Sequence, residues 1–178
     1  MNSTFAIALG VPARHIEVIS TARSKLMAEL GSQNYDQRWY SWIPVCITTR
    51  LQPHDIEKLS DQFKKLPASA IIPSGFSNRG TFLAVEFSGA DSLIERLQGI
   101  AMESCPSADL MDTPAYVPLL TSCVPGAIAQ AYAMATESPH NLVLPQTALS
   151  LSDLLFYRQD GERGWRQLTG TPTQKLAA

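Results

Sequence analysis

Two short extended segments carry the residue types that could do chemistry. The first is Val45-Cys46-Ile47-Thr48-Thr49 and the second is Pro118-Leu119-Leu120-Thr121-Ser122. Residues two apart on a strand share a face, which groups Cys46 with Thr48 and Leu119 with Thr121. A threonine hydroxyl can donate to a phosphate oxygen; its alternative fate is that of an ordinary β-branched strand residue. A cysteine becomes a nucleophile when a cation or helix N-terminus lowers its pKa, and is otherwise a small buried hydrophobe. Leu119 has no proton to give or take. Arg50 shares the parity of Cys46 and Thr48. It would reach a phosphate or carboxylate at the strand end, or stand as a solvated charge. Trp42 and Tyr116, with Trp39 and Tyr40, flank the two segments. Their rings could stack a base at a cleft rim or simply pack.

A nucleophilic Cys46 needs a base. The histidines are His15, His54 and His140. His54 falls at a helix start and points away. His140 lies in the loop Ser138-Pro139-His140-Asn141, so a Cys46–His140 dyad requires that loop to fold over the site. Arg79, in the turn Ser77-Asn78-Arg79-Gly80, reads as a surface residue. There is no metal-ligand cluster, Gly-rich phosphate loop or DNA-reading motif. Three cysteines without paired spacing (Cys46, Cys105 and Cys123) argue against a disulfide framework or a zinc site, and favour a reducing compartment.

The elements that must position these residues alternate. Phe5 to Leu9 is a short apolar run closed by Gly10 and Pro12, a buried strand. Ile16, Ile19, Ala22, Leu26 and Leu30 mark a helix from Ala13 to Leu30, ended by Gly31. The first motif strand covers Ile43 to Leu51. Pro53 opens a helix that Pro67 stops, and Ala70 to Ile72 is a strand. The order then repeats: a strand from Thr81 to Phe87, a helix from Ala90 to Ser104, the second motif strand from Tyr116 to Val124, and a helix opened by Pro125-Gly126 and running to Glu137. Thr147 to Tyr157 has strand character, with a helix as the alternative. Phe5 to Phe82, Cys46 to Leu119 and Pro53 to Pro125 are displaced by 77, 73 and 72 residues, a near-constant offset that points to an internal duplication.

With 178 residues, 45% hydrophobic and 17% charged, the chain reads as a globular protein of one domain, or of two small lobes sharing a core. A net charge of −2 gives no bulk attraction to nucleic acid, and duplex DNA is not expected as a partner. No stretch is long enough to span a membrane, and the N-terminal segment lacks a signal-peptide pattern, so a cytoplasmic location is expected.

In this order and spacing, from Phe5 to about Tyr157, the residues resemble the two-histidine phosphoesterases, which include the RNA 2′,3′-cyclic phosphodiesterases once called 2′-5′ RNA ligases. The shared features are the opening strand with Pro12 and a long helix, the two motif strands, and Pro118 before the second motif. The resemblance implies a bilobal α+β fold of duplicated strand-helix-strand-helix-strand units, with two antiparallel-rich sheets facing a central cleft. It implies one domain over residues 1–170, with lobes of about 1–76 and 77–170 that can exchange strands, and a disordered tail at 171–178. In that family each lobe offers a His-x-Thr/Ser motif, and the two imidazoles act as general base and acid. Here the histidine positions fall on Cys46 and Leu119, and the threonines on Thr48 and Thr121. The resemblance therefore implies a pseudoenzyme without a cofactor or metal. It would hold a small phosphorylated or nucleotide-like ligand, or a protein partner, between the lobes through Thr48, Thr121, Arg50, Trp42 and Tyr116. The alternatives are an enzyme of altered chemistry using Cys46, and an interaction protein with a filled cleft.

Overall fold

The strand β1 (Phe5–Gly10) is buried along Ala6-Ile7-Ala8-Leu9, which is why it reads as an unbroken apolar run. It is flanked on both sides, antiparallel to β2 (Trp42–Thr48) and to β8 (Leu154–Gln159). The computed structural model of the chain describes residues 3–36, 38–137, 142, 144, 146–161 and 164–168. Adding β5 (Asp109–Leu110) and β9 (Trp165–Leu168) gives a five-stranded sheet in the order β5-β2-β1-β8-β9. A second sheet has the order β6-β4-β3-β7, from β3 (Ala70–Asn78), β4 (Phe82–Ser88), β6 (Ala115–Thr121) and β7 (Leu149–Ser150). Every recorded strand pair is antiparallel. The expected α+β class with two antiparallel sheets is what the chain adopts.

Four helices cover one face of each sheet, and they do so crosswise. Helix α1 (Ala13–Leu30) follows β1 yet serves the second sheet. Its buried stripe is His15, Ile19, Ala22 and Leu26. His15 Nε2 lies 3.4 Å from the Ile71 carbonyl of β3, and its ring packs on Phe87 of β4. Helix α4 (Ala127–Thr136) packs on β3, β4 and β6 beside α1. Its N-cap Gly126 has φ 79°, a left-handed conformation that glycine adopts without strain. Helix α3 (Asp91–Ser104) follows β4 yet packs on β2 of the first sheet, where the Gln98 amide donates to the Val45 and Met111 carbonyls at 3.0 and 2.7 Å. Helix α2 (Pro53–Phe63) lies beside α3. It starts with Pro53 and a capping box in which Asp55 accepts from the Gln52 N–H at 2.9 Å.

One contiguous apolar core joins both sheets to these helices. Strands are exchanged as well as helices. β3 belongs to the first half of the chain and pairs with β4, whereas β8 returns from the far end to pair with β1. The boundary placed at 76/77 thus falls inside β3. The tail 171–178 and His140 lie outside the described residues.

Candidate functional site

Each motif strand carries one extra residue. Opposite β1, Pro44 pairs with Ala8 and Cys46 with Ile7, leaving Val45 as a bulge. Opposite β4, Pro118 pairs with Ala84 and Leu120 with Leu83, leaving Leu119 as a bulge. A bulge shifts the strand's alternation by one, and here it decides which side chains turn inward. Val45, Cys46 and Leu119 are at most 1% exposed and belong to the helix-backed core. Thr48 is 2% exposed, and its hydroxyl donates to the Arg50 carbonyl while accepting from the Arg50 N–H. Thr121 pairs with Phe82 and is exposed. The expected alliance of Thr48 with Thr121 across one cleft therefore does not form. Matching bulge to bulge makes Val45 the counterpart of Leu119, and Ile47 the counterpart of Thr121, one residue before the positions that sequence spacing suggested.

Cys46 is closed to chemistry as well. Burial, and then the neighbouring Cys105, push its thiol up to about 12, so the thiolate a nucleophile needs is absent near neutral pH. Of the other histidines, His15 is fully buried under the second sheet and His54 is exposed beside Asp55. Arg50 is exposed beyond the end of β2, on the helix side near Cys105, whose thiol donates to the Arg50 carbonyl at 3.3 Å.

The faces turned away from the helices carry different residues. On the first sheet, Trp42 stacks on Tyr157 with ring centroids 5.2 Å apart, while Tyr40 and Trp165 close in at 5.8 and 6.0 Å. Trp42 is on β2 and Tyr157 on β8, so their rings meet above β1, where Ala6 and Ala8 leave the room. On the second sheet, Tyr116 stacks on Phe82 at 5.5 Å, and the Arg79 guanidinium lies 4.2 Å above the Tyr116 ring. Arg79 is fixed by Glu86 at 3.1 Å, by the Ser77 hydroxyl at 3.3 Å and by the Pro114 carbonyl at 3.5 Å. These bonds use Nε and Nη2, and its Nη1 has no partner among the described residues. Burial raises the Tyr116 phenol pKa, and the cation above it pulls the other way.

The two faces meet along a seam where β2 and β6 approach each other. The segment between α1 and β2 straps the seam. Asp36 N–H donates to the Thr121 carbonyl at 2.8 Å, the Trp39 indole donates to the Pro118 carbonyl at 3.0 Å, and the Ser122 hydroxyl donates to the Asn34 carbonyl. Trp42 and Tyr116, both expected at the rim, sit on the two faces at equivalent positions, each two residues before the matched prolines. Arg79, which the sequence reads as a surface residue, is only 18% exposed in its pair with Glu86, and nothing in the sequence analysis points to Glu86, Phe82, Tyr157 or Trp165 as site residues. A charged residue inside the apolar run Phe82-Leu83-Ala84-Val85-Glu86-Phe87 was the signal for one of them. A groove of about 760 Å³ between α2 and β9, lined by Ile56, Glu57, Lys64 and Arg166 among others, contains none of these residues. Among the described residues no group of three or more His, Cys, Asp or Glu could hold a metal, and no helix is long and apolar enough to cross a membrane.

The sequence matches no family model and no curated protein. Solved structures do match. Apo LigT from E. coli superposes with a TM-score of 0.58 at 14% identity, over 95% of this chain and 96% of that one. LigT complexed with 3′-AMP gives 0.56 at 14% identity, over 95% and 97%. Usb1 from Kluyveromyces marxianus with uridine monophosphate gives 0.56 at 9% identity, over 94% and 97%. The chain has the two-histidine phosphoesterase fold. Among the described residues of this two-histidine fold, no histidine stands on β2 or β6. LigT has also been solved with phosphate, ATP and NADP+.

Proposed function

We propose that the protein binds a small phosphorylated or nucleotide-like ligand between the two helix-free faces and leaves it intact. The observation that carries this reading is the residue content of the paired bulges. Pro44-Val45-Cys46 and Pro118-Leu119-Leu120 hold no group that transfers a proton near neutral pH. Phosphoesterase chemistry by an acid–base pair has no residues to run on there. The binding half of the reading is supported by Arg79, whose Nη1, without a partner among the described residues, is a phosphate-type donor, and by structural neighbours solved with phosphate, 3′-AMP and uridine monophosphate. Thr121, exposed beside the same face, adds a hydroxyl.

The test is calorimetric titration with phosphate, 3′-AMP and uridine monophosphate, run beside a chromatographic assay on 2′,3′-cyclic nucleotides. Saturable nucleotide binding is expected, weakened at least about tenfold in Arg79→Ala by loss of a charge-assisted contact, with no product formed. Turnover by the purified protein would overturn the non-catalytic half of the reading. Absence of binding at millimolar ligand would overturn the other half.

A further inference from the structure

Helix α2 presents one continuous stripe to the groove it shares with β9. Pro53, Ile56, Glu57, Ser60, Asp61 and Lys64 line that wall in alternating steps of three residues and one, the spacing of a single helix face. The stripe spans about 16 Å along the helix axis. The opposite wall is built differently. Arg166, Gln167 and Leu168 are consecutive, and successive strand residues point to opposite faces. Three in a row therefore line the groove with the edge of the strand, not with one of its faces. β8 pairs with β9 on one flank, and among the described residues no strand lies on the other. An edge left open in this way is a template for a further strand.

The charges on the two walls are also unmatched. Arg166 lies directly opposite Arg158 on β8, and like charges across a ladder repel. Arg158 has Asp160 at 4.0 Å, whereas Arg166 and Glu57, both exposed, have no ion pair among the described residues. A complementary partner brings an acid to β9, a base to α2 and a strand to the open edge.

A second copy of the chain supplies all three. Glu57 and Lys64 are equally far in sequence from the Ser60–Asp61 step. A two-fold axis passing there sets Glu57 of each copy against Lys64 of the other. Lys64 is exposed and holds only Asp61, at 3.1 Å on its own helix. Antiparallel pairing of two β9 edges has the same symmetry. With the axis at Gln167, Arg166 of each copy lies beside Leu168 of the other and not beside the other Arg166. An axis normal to the sheet keeps both α2 helices on the helix-backed side, facing each other over the joined edge.

We propose that this face is a self-complementary interface, through which two copies join their first sheets edge to edge at β9 and set α2 against α2. The groove opens away from the helix-free faces. Association therefore needs no ligand, and its test is independent of the binding reading above.

Sedimentation velocity across a concentration series provides that test. A reversible monomer–dimer equilibrium is expected. Glu57→Lys and Lys64→Glu each turn two attractive contacts into two repulsive ones, and each should weaken association at least about tenfold. An equimolar mixture of the two variants restores opposite charges at both contacts, so mixed dimers should form at concentrations where neither variant dimerises alone. The double variant Glu57→Lys with Lys64→Glu should return to within about threefold of the native dissociation constant. Amide exchange in Trp165–Leu168 should slow as the dimer forms. Both substitutions fall at exposed positions, and circular dichroism checks that each variant is folded. A monomer at every concentration would overturn the interface. So would a dimer that the single reversals leave unchanged, single variants that fail to combine, or β9 amides whose exchange ignores concentration.

Discussion

At the residue scale the decisive side chain is Cys46. It looks available in sequence because a strand with strict alternation would place it beside Thr48 on an open face. The Val45 bulge removes that freedom, and the thiol ends in the core beside Cys105. Two outcomes follow from its burial. Native protein treated with a thiol reagent at pH 8 should label only the exposed Cys123, with Cys46 and Cys105 reacting after denaturation. The thiol also links stability to alkaline pH. Its pKa rises from 9.0 in the open chain to about 12 in the fold, so the unfolded state loses the proton first. The contribution is complete below pH 9 and drains away as pH climbs toward 12. Urea midpoints measured across that window should fall more steeply for the native chain than for Cys46→Ala. Other groups with raised pKa, among them Tyr35, Tyr116, Tyr157 and Cys105, slope the same way in both proteins. Which residue types stand at the motif was legible in the sequence. Which way they point was not, because periodicity contains no mark for one inserted residue.

At the scale of elements, the helices were the most readable part. Ala13–Leu30 was bounded by Pro12 and Gly31, and the start of α2 by Pro53, because capping and proline chemistry are local. The strands β5 and β9 were not legible. Both are short: β5 exists because the distant β2 offers its edge, and β9 is the return strand that pairs with β8 just before it in the chain. β3 ran past Ile72 to Asn78 through Pro73 and Gly75, where the register shifts against β4. The aromatic floor depends on small residues beneath it. Ala8→Leu should force the Trp42–Tyr157 stack apart and destabilise the fold by about 1–3 kcal/mol, the usual cost of overpacking, as read by chemical denaturation. The seam strap makes a smaller contribution. Trp39→Phe keeps the ring and deletes the bond to Pro118, an expected loss of about 1 kcal/mol. A loss indistinguishable from zero would mean the strap does not hold β6.

At the scale of the molecule, both motif strands carry a bulge beside a proline that lies opposite an alanine. The same bulges set the outcome of an attempt to rebuild the missing histidine pair. Val45→His with Leu119→His, the pair matched bulge to bulge, places two imidazoles at positions 0% and 1% exposed, each costing about 1–3 kcal/mol for an unpaired buried polar group. A drop in melting temperature with no cyclic phosphodiesterase activity is expected. Activity in that variant would mean the motif strands present those positions to the ligand after all. The interleaving of the sheets has an effect in time as well as in space. During synthesis β1 finds β2 within some forty residues, but its other flank stays unpaired until β8, about a hundred residues after β2, emerges. Until then Ala6 to Leu9 presents an open apolar edge of the kind that invites pairing with other chains. Slow translation between β2 and β8 should therefore raise the fraction lost to aggregates more than slowing through β1 and α1 or after β8.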